Sequence, residues 1–193
     1  MNSNQIYHVD FKQSKRIKSF PYAGGLFQLT SDGVIFIGKD KDNNELPPRW
    51  ICSSLYVVAK TRDGNSGEWG RLLEWVDDDG IKHQWAMPLA LLQGDSSDVR
   101  RELARLGLTI SPSKTARDLL ASYIQVFPVE ERARCVDKLG WYKEVFVTAN
   151  EAIGQSSDKI VFQNANSLEP AATVAGNVED WKNSIARLAE GNS

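Results

Sequence analysis

The chain reads as an α+β protein: an antiparallel β-sheet or meander with a tryptophan-rich face, packed by several short helices. Three observations predict this class. Short alternating apolar segments, punctuated by Gly, Asp and Asn turns, fill residues 25–88. Two stretches with helical apolar spacing follow between residues 97 and 127. The chain then returns to short β-rich runs, so strands and helices are grouped rather than alternating as βαβ units.

The elements follow in order. Residues 1–24 form an N-terminal arm or lead-in strand, with Ile6, Val9, Phe11, Ile17 and Phe20 scattered among polar residues, and residues 25–193 form one α+β domain. Gly24-Gly25 is a turn. Gly25–Thr30 and Val34–Gly38 flank Ser31-Asp32-Gly33, the loop chemistry of a β-hairpin. Lys39 to Pro48 is a solvated loop. Trp50–Ser53, Leu55–Arg62, Trp69–Val76 and Ile81–Met87 then read as a meander, turning at Asp63–Gly67 and Asp77–Gly80. Alternation puts Trp69, Arg71, Leu73 and Trp75 on one face, with His83, Trp85 and Met87 alternating likewise on the next strand.

Pro88 stops that strand and can start a short helix through Leu92. Asp95-Ser96-Ser97 offers N-caps, and Val99, Leu103 and Leu106 make an apolar stripe ended by Gly107. A short strand, Leu108–Ile110, leads to Ser111-Pro112-Ser113 and a second helix carrying Ala116, Leu119, Leu120, Tyr123 and Ile124. Ala133–Val136, Gly140–Thr148 and Lys159–Gln163 are the later strands. Val178–Ala189 is a last helix with Trp181, Ile185 and Leu188 as its stripe.

Composition narrows the function. The 193 residues are 41% hydrophobic and 25% charged with net charge −2, so nucleic-acid affinity must come from a local patch rather than from bulk charge. No apolar run approaches the roughly 18–20 residues of a membrane span, and the N-terminal residues are polar and basic. A cytoplasmic protein without a membrane partner is expected. Cys52 and Cys135 are expected to be reduced, buried thiols. There is no GxxxxGK[ST], no GxGxxG after a strand and no short-spaced Cys/His cluster, so neither a cofactor, a metal nor catalysis is expected of this segment. Asp77-Asp78-Asp79 is turn material, and His83 reads as a packed or surface histidine.

Charge is uneven, and that gives the one physical route to a partner. Residues 97–143 hold nine basic and six acidic residues, between two acidic flanks. Arg100, Arg101 and Arg105 lie on the first middle helix, with Lys114 and Arg117 in the first turn of the second. These five are the candidate nucleic-acid-binding residues, since neutralised phosphates supply much of DNA affinity. The competing reading is a solvated face with local pairing of Asp98 and Glu102 against Arg101 and Arg105. The strand tryptophans likewise read as packing residues ahead of a base-stacking surface.

An ordered series of motifs then emerges: Trp50-Ile51-Cys52-Ser53 before Leu55 to Arg62; Trp69-Gly70-x-Leu72-Leu73-Glu74-Trp75; His83-x-Trp85-Ala86-Met87-Pro88; Leu103 to Ile110; Ala133-Arg134-Cys135-Val136; Gly140-Trp141; Val161-Phe162-Gln163; Val174-Ala175-Gly176 before Trp181; and Gly191-Asn192-Ser193. This set resembles the N-terminal part of the domain of unknown function catalogued as family 927. The resemblance implies a helicase-like replication ATPase of phages, plasmids and integrated elements. In proteins of that family a primase-type region often lies upstream, and the resemblance implies a P-loop core beyond the point where this chain stops. It implies an accessory module that contacts DNA or organises the motor, with the parent's ATPase core or other replication proteins as partners. A protein-interaction module that never touches nucleic acid is the alternative. No catalytic residue carries over, because the ATPase motifs have no matching positions here.

Overall fold

The structure, a computed structural model, describes residues 19–148, 152–154, 156 and 159–162. Its strands fall into three sheets. Strands β1 (Ser19–Tyr22), β2 (Gly25–Thr30), β3 (Gly33–Ile37) and β4 (Arg49–Cys52) pair in sequence order, all antiparallel. The expected arm or lead-in strand is described only over Ser19–Tyr22, which pairs with β2, and Phe20 is buried in the core ahead of Gly25. Strands β5 (Leu55–Arg62), β6 (Gly70–Val76) and β7 (Lys82–Pro88) form the antiparallel part of a second sheet. A single 3-10 turn, Leu89–Leu92, leads to helices α1 (Ser97–Arg105) and α2 (Lys114–Val126).

After the helices the chain lays β8 (Arg132–Val136) parallel to β5, and β12 (Lys159–Phe162) parallel to β8. The second sheet therefore has the order β12-β8-β5-β6-β7 and is mixed. Between them, β9 (Gly140–Tyr142), β10 (Val145–Val147) and β11 (Ala152–Gly154) make a small antiparallel sheet. The expected single antiparallel meander is thus corrected. β4 belongs with the first sheet, and the long return through α1 and α2 permits parallel pairing, which a tight turn cannot. Leu108–Ile110 is not a full strand; only Ile110 bridges Cys52, with Ser53 N–H donating to Thr109 O at 2.9 Å. The expected helix Val178–Ala189 lies outside the described residues.

Helix ends follow local chemistry. Asp95 Oδ1 accepts the Ser97 N–H at 3.0 Å, while Ser96 itself sits at φ +56 without a side-chain cap. Gly107, at φ +81, ends α1 as its left-handed cap. The main core lies between the first sheet, the helices and one face of the second sheet. It includes Phe20, Phe27, Ile51, Leu73, Leu103 and Tyr123. Leu120 and Ile124 bring the predicted stripe of α2 into it. Tyr123 Oη donates to Leu55 O at 2.7 Å, and burial holds that phenol well above its ordinary range.

The tryptophan face is only partly a packed one. Trp75 is fully buried, its Nε1 donating to Leu106 O at 2.9 Å, while Trp85 is half-buried against the core. Trp75 stands opposite His83, and Trp85 opposite Leu73, so the two indoles are diagonal neighbours. Trp50 and Trp69 are 36% and 42% exposed, each donating its Nε1 to a turn carbonyl, Asp32 O and Ser66 O. β6 is buried through Gly70–Trp75 on both faces, so its alternation marks no solvent side. Even Glu74 is buried, with Lys82 at 3.1 Å.

Candidate nucleic-acid interface

The five predicted cations divide by the helix end they occupy. Arg100 projects from the first half of α1, its Nη1 donating to Asp95 O at 2.7 Å. Lys114 and Arg117 occupy the first turn of α2, and Lys114 pairs with Asp118 at 2.8 Å. The charges converge there: the hydrogen bond from Lys114, followed by the positive fields of Lys114, Arg117 and Arg100, holds the Asp118 carboxyl below its ordinary value. Asp95 is held low as well, first by the Ser97 N–H and then by Arg100 and Arg101. Arg100, Lys114 and Arg117 thus share the field of Asp118, while Asp95 lies within reach of Arg100 and Arg101.

Arg101 and Arg105 stand apart in their bonding. Arg101 pairs with Asp98 at 2.8 Å, one turn back. Arg105 takes Glu102 with two bonds, Nε at 3.1 Å and Nη2 at 2.9 Å. Both pairs have the i,i+3 spacing legible in the sequence. Four of the five cations carry a backbone or carboxylate partner, and Arg101, Arg105, Lys114 and Arg117 are exposed. The exposed pairs Arg101–Asp98 and Lys114–Asp118 are worth little to stability.

Among the described residues, the two cysteines and His83 are occupied or shielded. Cys52 and Cys135 are free and buried, with no disulfide between them. Burial pushes the Cys52 thiol far up and that of Cys135 to about 11, so neither is a ready thiolate. His83 Nε2 lies 2.7 Å from Asp77 Oδ2, and its ring stacks on Trp75 at 5.5 Å. That dyad closes the β6–β7 turn against the end of α1, where a side chain on Gly107 would strike Asp77. No group of three or more His, Cys, Asp or Glu residues suited to a metal occurs among the described residues. Nor is any described helix long and apolar enough to cross a membrane.

The β-rich fold, with its mixed five-stranded sheet and two helices, is one whose family can be stated. The family described as Domain of unknown function (DUF927) matches residues 27–193, and the chain belongs to it. Among solved structures the chain is similar to one described as SCCmec type IV Cch, an active helicase, with TM-score 0.52 and 15% identity. The match covers 85% of this chain and 29% of the helicase, so this chain spans under a third of that protein's length. The likeness is one of fold. No curated protein sequence matches.

Proposed function

We propose that this chain is a non-catalytic module of a helicase-like mobile-element protein and touches nucleic acid through the α1–α2 end. The observation that carries the reading is the convergence of Arg100, Lys114 and Arg117 on Asp118. Membership in the DUF927 family and the fold likeness to a helicase support it. The acidic partners act as exchangeable counterions, which a phosphate backbone displaces as it displaces dissolved salt. Binding is accordingly weak, sequence-tolerant and steeply salt-dependent.

A second reading, docking to a partner protein such as a motor core, is favoured by one observation. Trp141 is 75% exposed on β9 and meets Phe146, its partner on β10, edge to face at 5.4 Å. An open aromatic pair on a small sheet suits a protein contact. Retention on single-strand and duplex DNA resins separates the two. Loss of all retention even at about 20 mM salt leaves only the protein-docking reading, because low salt favours phosphate contacts most.

A further inference from the structure

The five-stranded sheet brings together a second set of cations. Lys60 lies directly opposite Arg132 across the parallel β5–β8 pair, and Arg62 lies opposite Arg134. Lys60 also faces Arg71 across β5–β6. One cross-strand row is therefore Arg71–Lys60–Arg132, and the next is Arg62–Arg134. Like charges placed directly opposite one another destabilise a sheet. A local rule broken in this way marks a position kept for function rather than for folding.

Two carboxylates near the rows have other partners. Asp63 Oδ1 accepts the N–H groups of Asn65 and Gly67 at 2.9 and 2.6 Å. Glu131 takes Lys159 at 3.2 Å, and Lys159 is in register with Ala133, on the opposite face from Arg132 and Arg134. Lys60 and Arg132 have no ion-pair partner among the described residues. Arg134 Nη1 donates to Asp63 O and Gly64 O at 3.3 and 2.8 Å, which steers its guanidinium.

The rows lie on an open stretch of that face. A bulge between Val57 and Ala59 shifts β5, so Leu55 and Val57 enter the core while Lys60 and Arg62 emerge beyond it half-buried. Arg71 marks one border: it is buried, and its Nη2 donates to Gln125 O at 2.8 Å, at the negative end of α2. At the other border, Val136 and Ile160 pack with Val145, Val147 and Ala152 of the small sheet. Trp69 flanks the second row, directly before Gly70, the partner of Thr61. Residues two apart on a strand lie about 6.6 Å apart and neighbouring strands about 4.8 Å, a grid that suits successive phosphates rather than one small anion.

We infer that this face is a track for the phosphodiester backbone of single-stranded nucleic acid, with Trp69 stacking a base. The inference rests on the nucleic-acid reading above but assigns a different face. The probe is a fluorescein-labelled oligothymidylate of about 20 nucleotides, titrated by anisotropy with the full chain at several salt concentrations. Lys60→Gln with Arg132→Gln removes two phosphate contacts. It should weaken binding at least about tenfold at low salt and make the slope of log K against log salt shallower by about 1.4. Trp69→Ala should weaken the oligothymidylate and leave duplex affinity unchanged.

Since the double variant relieves like-charge repulsion, its melting temperature should be no lower than that of the wild type. A folded double variant with unchanged slope and affinity overturns the track. If Arg100→Glu with Arg117→Glu removes all binding at the same time, the α1–α2 reading survives without the track. A wild-type chain that binds no oligonucleotide sinks both. A double variant that fails to fold contradicts the repulsion argument; unchanged oligothymidylate binding by Trp69→Ala would then also count against the track.

Discussion

Replacing Trp75 with alanine tests the packing of the fold at its most committed indole. Trp75 is fully buried, stacks on His83, faces Leu55 across β5–β6, and donates its Nε1–H to Leu106 O at 2.9 Å. It ties the central strand to the end of α1. Truncating a buried tryptophan costs about 3–5 kcal/mol, and the lost hydrogen bond adds about 1 kcal/mol. Against a whole-domain stability of about 5–15 kcal/mol, Trp75→Ala should leave the chain marginal. Trp75→Phe separates the two contributions: most of the bulk stays and the Nε1–H goes, for an expected loss of about 1–2 kcal/mol. Urea denaturation followed by far-ultraviolet circular dichroism measures both, with unchanged m-values as the check on two-state behaviour. A loss under about 1 kcal/mol for Trp75→Ala would refute the packing argument.

Two further outcomes follow from buried and paired groups. The Asp77 carboxyl is held below its ordinary 3.8, first by the His83 hydrogen bond and then by backbone N–H groups. A depressed carboxylate stabilises the fold above its unfolded value and loses that contribution as pH falls through the folded one. The difference in urea midpoint between wild type and Asp77→Asn should therefore be present above the unfolded value and shrink as pH falls through the folded one; a difference that stays constant with pH would exclude the linkage. Cys135, with its thiol raised to about 11 by burial, should react with a thiol reagent at pH 7.5 at least about a hundredfold more slowly in the native chain than in urea; equal rates would show an open, reactive thiol.

Local elements were legible because their signals are local. Alternation and Gly/Asp turns located β2, β3 and β5 to β7, and the Ala116–Ile124 periodicity located α2 with its buried face. Topology was not legible. Nothing in Leu55–Arg62 or Ala133–Val136 says that they pair in parallel, because that register is set by a crossover of some seventy residues. The same gap hid the row of Lys60 and Arg132, which are ordinary charges until strand pairing sets them side by side. The helix cations fared better: the spacings of Asp98 to Arg101 and Glu102 to Arg105 already announced their ion pairs. The exposure of Trp50 and Trp69 went unread because strand tryptophans usually pack, and turn carbonyls at Asp32 and Ser66 hold these two at the rim.

The central claim is that the α1–α2 end meets phosphate, and the salt dependence of duplex binding tests it most directly. With contacts from Arg100, Lys114 and Arg117, the slope of log K against log salt should lie near −3, at about −0.9 per contact. Reversing Arg100 and Arg117 to Glu should bring it to about −1 or abolish binding, with the circular dichroism spectrum unchanged, since neither residue lies in the core. A slope near zero for the wild type, or one that the reversal leaves intact, would contradict the account.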